Sequence, residues 1–168
     1  SAQTALKLRS ASHILENSIR FIAEQDSLNA SILGPDAVHG TPEFDLFIKE
    51  VTREMTTKAG QKCTAIRRIF APEAQQDAVI AALQASLAKT TIGDPSDASN
   101  RMGALVSNDQ KADVLEKAAM IGQEAERVFG DPDNFSVQGA DADKGAFLPP
   151  MLFHCTNPDG AKNIHRSE

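Results

Sequence analysis

The first candidate for chemistry is a single thiol, Cys63, which ends the sequence Gly60-Gln61-Lys62-Cys63. The glycine and the glutamine should end a helix, and an apolar and basic run that predicts a strand follows the cysteine at once. A side chain at such a junction has rigid support and one open side, as covalent catalysis requires. These residues alone nevertheless favour a small cysteine buried in a core.

Positive charge near the thiol would favour its reactive thiolate form. Lys62, Arg67 and Arg68 lie close to Cys63 in the sequence. Strand alternation, however, would place the two arginines on opposite faces. Proximity in the sequence therefore does not establish an activated thiol.

Glu24 is the second candidate, because it ends an apolar run in which partial loss of solvent would suit a general base. A solvated acid beside Asp26 is the simpler interpretation of the local sequence. Cys155 follows His154 in an extended segment, and alternation of side chains predicts that this second thiol lies in the core. The four histidines show no metal-ligand spacing with one another or with the cysteines, so no metal site is expected.

Alternating helices and strands must position these residues. Hydrophobic periodicity and caps predict helices over about 1–16, 42–59, 73–87, 107–126 and 160–165, and strands over about 18–23, 28–33, 65–71 and 127–129, with 146–155 extended. Thr41 and Pro42 are a typical helix start, and Ser107 to Gln110 resembles a capping box. The alternation indicates an α/β fold with a largely parallel sheet.

Composition limits the kind of partner. A net charge of −6 and a sequence pI near 5.2 argue against binding to nucleic acid or to an anionic membrane surface. With only two cysteines, no apolar stretch long enough to span a bilayer and no signal-peptide pattern, we expect a cytoplasmic setting. The chain starts without Met in a helix-like pattern and stops without a closing element, which predicts a piece of a longer protein.

Together these motifs resemble the aldehyde dehydrogenase superfamily. The sequence Gly60-Gln61-Lys62-Cys63 fits the family's Gly-Gln-x-Cys nucleophile motif, and Glu24 stands at its general-base glutamate. Ile92 to Pro95 and Met102 to Ser107 resemble its Gly-Asp-Pro loop and the Met-Gly-Pro-Leu-Ile stretch, and Lys144 to Leu152 resembles its Gly-x-Phe-Val-x-Pro-Thr segment. The motifs follow the family's order and cover nearly the whole chain.

One departure narrows the resemblance. Most members follow the glutamate with Leu-Gly-Gly, whereas this chain has Gln25, Asp26 and Ser27. The stretch from Glu24 to Asp36 is most similar to the dehydrogenase part of the bifunctional ring-opening proteins of phenylacetate degradation. That similarity implies a CoA-linked semialdehyde substrate.

The resemblance implies a fold, a domain division and a set of roles. The fold would be the three-layer α/β catalytic domain, in which a largely parallel sheet is flanked by helices. Residues 1–28 would be the C-terminal remnant of a nucleotide-binding domain, and 29–168 a truncated catalytic domain. Cys63 would form a thioester, and Glu24 would activate the water that hydrolyses it. Ser1 and Glu168 would contact the cofactor, NADP or NAD.

The resemblance also limits what this chain can do alone. The parent enzyme would oxidise a small-molecule aldehyde and form a homo-oligomer. The chain itself is expected to bind no cofactor and to be inactive, since most of the nucleotide-binding half is missing. Two alternatives stay open: a CoA-acylating dehydrogenase, and a non-catalytic interaction module with a buried Cys63.

Overall fold

The computed structural model describes residues 2–167 and consists of helices alternating with short strands. The elements in chain order are α1 (Ala2–Arg9), α2 (Ser12–Glu16), β1 (Ala30–Ile32), α3 (Pro42–Thr56), β2 (Arg68–Phe70), α4 (Gln76–Leu87), α5 (Asn108–Ile121), β3 (Glu126–Phe129) and β4 (Leu152–His154). Short 3₁₀ turns, Thr57–Gly60 and Glu73–Gln75, follow α3 and precede α4. The α/β class predicted from the sequence is confirmed.

The strands of the described chain form two pairs. Strands β1 and β2 are parallel, with Ala30 opposite Arg68 and Ile32 opposite Phe70. Strands β3 and β4 are antiparallel, with an irregularity in the register between Arg127 and Phe129. The parallel pair matters for the site, because Cys63 lies just before β2 and Glu24 just before β1.

The main core lies between α3, α4 and the strands. Its buried side chains are Leu33, Phe44, Ile48, Val51, Val79, Leu83, Leu87 and Leu152. A second cluster, formed by Ile92, Met102 and Phe147, lies under the loops that follow α4. The periodic apolar face predicted for α3 is therefore confirmed as a core face.

Two predicted helix starts are confirmed by their caps. The Thr41 hydroxyl accepts a hydrogen bond from the Phe44 N–H at 3.3 Å, with Pro42 in the first turn of α3. The Ser107 hydroxyl accepts one from the Gln110 N–H at 3.2 Å at the start of α5. Each cap satisfies an N–H group that has no partner inside its own helix.

The secondary structure predicted for residues 1–23 is only partly confirmed. The expected single helix is broken between α1 and α2, and no residue of these two helices is buried. The expected strand at 18–23 is irregular chain that begins with Ser18 at φ 50°, and Ile22 there is 72% exposed. The apolar side chains of this part of the chain pack against no core within the described residues, so the periodic pattern does not show where they are buried.

Two predicted helix ends are also wrong. Helix α3 stops at Thr56 rather than near residue 59, because the backbone turns left-handed at Lys58 and Ala59. Helix α5 stops at Ile121, and the expected helix at 160–165 is a set of turns. At residues 162–164 the Glu124 carboxylate accepts the backbone N–H groups at 2.7 to 3.2 Å, which ties these turns to the end of α5.

Candidate active site

Cys63 lies on a turn whose backbone is held in an unusual conformation. We call residues 57–65 the thiol turn. Lys58, Ala59 and Gly60 have φ values of 54°, 52° and 72° in succession. The left-handed conformation costs about 1–2 kcal/mol for each non-glycine residue. Such strain persists only where the surrounding structure fixes the backbone.

Gln61 provides one of these fixed contacts. Its Oε1 accepts the Val106 N–H at 2.9 Å, and its Nε2 donates to the Lys58 carbonyl at 3.0 Å and to the Ala104 carbonyl at 3.4 Å. The side chain therefore joins the Gly-Gln-Lys-Cys motif to the stretch that follows Met102. Two motifs that are distant in the sequence form one structural unit.

The other motif segments are joined in the same way. The Gly93 N–H donates to the Met102 carbonyl at 3.0 Å, and the Leu105 N–H donates to the Ala146 carbonyl at 2.9 Å. Gly93 is required at its position, because a Cβ atom there would lie 2.1 Å from the Gln138 carbonyl oxygen. The three supporting motifs thus form a hydrogen-bonded platform beside the thiol turn.

Lys62 is paired with a carboxylate on α3. Its Nζ lies 2.8 Å from Glu54 Oε2, and the Thr64 hydroxyl donates to the same carboxylate at 3.4 Å. The hydrogen bond from Lys62 is the main cause that holds the pKa of Glu54 below its usual value. The charge of Lys62 is therefore paired with Glu54. Through Lys62 and Thr64, the Glu54 carboxylate anchors the residues on both sides of Cys63 to α3.

The two arginines after Cys63 reach different carbonyl groups. Arg67 Nη2 donates to the Gly60 carbonyl at 2.9 Å, and Arg68 Nη2 donates to the Ser167 carbonyl at 2.7 Å. Burial, and secondarily the charge of Arg67, lower the pKa of Arg68. Lys62, Arg67 and Arg68, the three basic side chains near Cys63 in the sequence, thus each have a defined partner elsewhere in the structure.

Cys63 itself is exposed, so the interpretation as a buried core cysteine is wrong, and with it the module with a buried Cys63. Its carbonyl oxygen accepts hydrogen bonds from the Ser27 hydroxyl, at 3.0 Å, and from the Asn29 side-chain amide. The amide of Asn29 also donates to the Ala65 carbonyl at 3.2 Å. The thiol turn is therefore held from the side of the segment that carries Glu24.

Glu24 is exposed and lies in the irregular chain between α2 and β1. It is three residues before Ser27, and so its Cα lies within about 11 Å of the Ser27 Cα even if the chain is fully extended. Within residues 2–167, no hydrogen bond or ion pair involves its carboxylate. The structure therefore brings the segment of Glu24 to the thiol turn and leaves the carboxylate itself free.

The remaining predicted positions are less closely connected to the thiol. Cys155 is a free, half-buried thiol just after β4, so it is less enclosed than expected. The proposed cofactor contacts Ser1 and Glu168 lie outside the described residues. The part of the chain that is described holds no group of three or more metal-ligating side chains, and none of its helices is long and apolar enough to cross a membrane.

Sequence reasoning missed the supporting side chains Ser27, Asn29 and Glu54. Ser27 and Asn29 lie in the polar stretch before β1, and nothing in the local sequence identifies their distant partners. Glu54 lies in the last turn of α3, where an acid opposes the helix dipole, and this signal pointed to a cation close by.

Fold and site together define an α/β domain that presents a free thiol on a braced turn, next to a segment bearing a carboxylate. The chain belongs to the aldehyde dehydrogenase family, whose sequence profile matches residues 1–168. Over all 168 residues it is 45% identical to a 3,4-dehydroadipyl-CoA semialdehyde dehydrogenase of Aromatoleum evansii, and it spans 33% of that relative's length.

Solved structures agree with this assignment. An aldehyde dehydrogenase of Mycobacterium tuberculosis, crystallised with NAD+, matches 82% of this chain and 27% of its own, with a TM-score of 0.65 and 27% identity. An aldehyde dehydrogenase of Bartonella henselae matches 91% of this chain and 30% of its own, with a TM-score of 0.71. At 21% identity the second match supports the fold alone.

Proposed function

We propose that this chain is the thiol-bearing part of a larger NAD(P)-dependent dehydrogenase that oxidises an aldehyde to a carboxylic acid. The observation that carries the proposal is the exposed Cys63 on a braced turn that is hydrogen-bonded to the segment of Glu24. A buried or loosely held thiol would serve neither attack nor transfer of an acyl group. In the family's motif pattern, Cys63 stands at the nucleophile and Glu24 at the base.

In this proposal Cys63 and Glu24 act in sequence. The Cys63 thiolate adds to the carbonyl carbon of the aldehyde, and backbone N–H groups near Cys63 stabilise the resulting oxyanion. Oxidation of this adduct leaves a thioester on Cys63. The Glu24 carboxylate then takes a proton from the water that attacks the thioester, which releases the acid and restores the thiol.

NAD or NADP, when bound, supplies the hydride acceptor that this chemistry needs. We propose that residues outside 2–167 provide most of its binding site, with Ser1 and Glu168 at the borders. Support comes from the first two helices of the described chain. Residues 1–28 would belong to the nucleotide-binding domain, and their exposed apolar side chains on α1 and α2 suit packing against more of that domain.

The substrate we propose is a CoA-linked semialdehyde of phenylacetate-type degradation. The A. evansii relative bears the name of such an enzyme, and the residues after Glu24 depart from the common family pattern. We also propose a cytoplasmic homo-oligomer, on the basis of the family resemblance and of two cysteines that are both free thiols.

A chimera tests this function directly. The third of the A. evansii enzyme that matches this chain is replaced by residues 1–168, and oxidation of its CoA-linked semialdehyde is followed. We expect turnover that Cys63→Ala abolishes and that the matched Cys155→Ala variant retains. A folded chimera that stays active with Cys63→Ala would contradict the assignment of the nucleophile.

Glu24 is tested in the same chimera. Glu24→Gln should leave a first burst of reduced cofactor and then slow steady turnover, because acylation precedes the step that needs the base. An unchanged steady state would remove Glu24 from the mechanism. Adding CoA separates the rival reaction, since a CoA-acylating enzyme would give acyl-CoA in place of the free acid.

The chain alone should not perform this reaction. We expect titration calorimetry of residues 1–168 with NADP and with NAD to give no heat of binding at micromolar concentrations. Binding in the micromolar range would contradict the proposal that the cofactor site lies mainly outside these residues.

A further inference from the structure

The contact between the Glu24 segment and the thiol turn rests on two polar side chains. Ser27 donates its hydroxyl proton to the Cys63 carbonyl at 3.0 Å, and the Asn29 amide donates to the same oxygen and to the Ala65 carbonyl. The backbone carbonyl of Asn29 also accepts the N–H groups of Arg67 and Arg68, at 2.9 and 3.0 Å. We call Ser27 and Asn29 the carbonyl clamp.

The Ser27 hydroxyl lies at the point where this sequence departs from the motif that the resemblance implies. Where most members of the family have Leu-Gly-Gly after the glutamate, this chain has Gln25, Asp26 and Ser27. Ser27 thus occupies the position of the second glycine, and it supplies a hydroxyl donor that a glycine cannot supply. The substitution therefore adds a side-chain bond between the Glu24 segment and the carbonyl of the thiol residue.

The clamp fixes more than one carbonyl group. Because the peptide bond is planar, holding the Cys63 carbonyl also fixes the direction of the Thr64 N–H. In the part of the chain that the structure describes, no hydrogen bond involves the N–H of Cys63 or that of Thr64. Both donors therefore stay available beside the thiol while the carbonyl is engaged on the opposite side.

We propose that Ser27 and Asn29 are positioning residues, which hold the Glu24 carboxylate at the distance from Cys63 that hydrolysis of its thioester requires. This inference rests on the function proposed above, and it adds two residues to it. Ser27 is three residues from Glu24, and its hydroxyl is hydrogen-bonded to the Cys63 carbonyl. It therefore connects the proposed base to the thiol residue through only three residues and one hydrogen bond. Loss of the clamp should slow hydrolysis of the acyl group more than its formation.

The test needs no cofactor and uses the 168-residue chain. An activated ester, p-nitrophenyl acetate, transfers its acetyl group to a thiol and releases p-nitrophenol, and water then converts the thioester into acetate and free thiol. Peptide mass spectrometry follows the acetyl group on Cys63 and on Cys155 separately. The half-buried Cys155 reports on the integrity of the fold in every sample.

The expected result is a selective change at Cys63. Ser27→Gly and Asn29→Ala should each slow deacylation of Cys63 about three- to tenfold, the equivalent of one hydrogen bond. Acylation of Cys63 should slow by a smaller factor, since it does not need Glu24, and both rates at Cys155 should stay within about twofold, since the core is not altered. Ser27→Thr keeps the hydroxyl donor and should restore the rate of deacylation.

The outcomes separate the two proposals. Glu24→Gln should slow deacylation of Cys63 about a hundredfold or more if Glu24 is the base. If Glu24→Gln has no effect, the proposed mechanism fails and the clamp fails with it. If Glu24→Gln slows deacylation but Ser27→Gly and Asn29→Ala do not, the clamp alone is overturned. Equal slowing of acylation and deacylation would likewise reject a positioning role.

Discussion

The two halves of the candidate site are held in very different ways. The thiol turn is joined to its surroundings by Gln61, Lys62 and Arg67, each through a side chain with a defined partner. The segment 18–26 before the clamp has few such contacts, chiefly the Ile19 N–H to the Ile14 carbonyl and the Asp26 carboxylate to the Ala2 N–H. One half is fixed within this chain, and the other depends on what surrounds it.

The difference agrees with the roles proposed for the two halves. A nucleophile has to keep its direction through addition and transfer, and the strained turn at Lys58 and Ala59 is kept only by many contacts. The proposed base has to reach the water that attacks the thioester, and the carbonyl clamp fixes the segment of Glu24 only at its C-terminal end. Under the function proposed above, we expect the Glu24 segment to gain its remaining order from other parts of the dehydrogenase.

The largest expected difference between the thiol turn and the Glu24 segment is in amide hydrogen exchange. The N–H groups of Ala65, Arg67 and Arg68 are hydrogen-bonded next to the core, whereas those of 20–26 have no regular structure around them. We expect protection that is about a hundredfold or more greater at the first set. Equal protection in both regions would show that the Glu24 segment is ordered within this chain.

The free energy of unfolding tests whether the main core and the helices before Glu24 differ in packing. Leu83 is 1% exposed in the main core, and Leu83→Ala should lower the free energy of unfolding by about 2–5 kcal/mol. Leu15 on α2 is 64% exposed, and the matched Leu15→Ala change should stay within about 0.5 kcal/mol. Urea unfolding of both variants measures this, and a similar loss in both would place α2 in the core.

The sequence predicts the packed half of the molecule well. Helix α3 and strand β2 follow from local signals: the Thr41 cap, a periodic apolar face, and a short apolar run after the thiol. The same signals mislead at 18–23, because an alternating pattern shows which side chains seek cover and not whether the cover lies within this chain. Periodicity alone cannot supply that information.

The candidate site was predictable in the two residues proposed to react and not in the side chains that support them. Cys63 and Glu24 stand in short motifs that a reader of the sequence recognises. Their bracing through Asn29 and Gln61 depends on which distant backbone groups the fold brings near, and no local pattern encodes these contacts. The left-handed backbone at Ala59 is likewise imposed by tertiary contacts against the preference of the residue.

The strained backbone gives the next prediction. Ala59 has φ 52°, and Ala59→Gly should stabilise the chain by up to about 1 kcal/mol because glycine adopts this conformation without steric cost. Gly60→Ala should have the opposite sign and cost about 1–2 kcal/mol. Its new Cβ would also lie 3.4 Å from the Met55 carbonyl oxygen.

Thermal unfolding of the two variants measures these differences. A loss of stability in Ala59→Gly comparable to that in Gly60→Ala would mean that the turn is not left-handed at residue 59. In that case the contacts of the thiol turn would not hold Ala59 in a strained conformation, and the turn would be less firmly fixed than its hydrogen bonds suggest.

The smallest expected effect is the pH dependence of the Glu54 to Lys62 pair. The hydrogen bond from Lys62 lowers the pKa of Glu54 in the folded chain, against the opposing effect of burial. A lowered pKa means that the pair stabilises the fold above the unfolded glutamate value of about 4.3, and that this contribution is lost as the pH falls through the folded value. The stability difference between the wild type and Glu54→Gln should therefore narrow as the pH falls from about 6 to about 3.

Asp131→Asn is the matched control, because Asp131 pairs with Arg127 at 3.4 Å and the two side chains are 48% and 40% exposed, compared with 14% and 24% for Glu54 and Lys62. Exposed pairs contribute little to stability, so the control should show the smaller difference at neutral pH. A difference for Glu54→Gln that does not change with pH would show that this carboxylate is not ionised against Lys62. The thiol turn would then lose one of the contacts that distinguish it from the Glu24 segment.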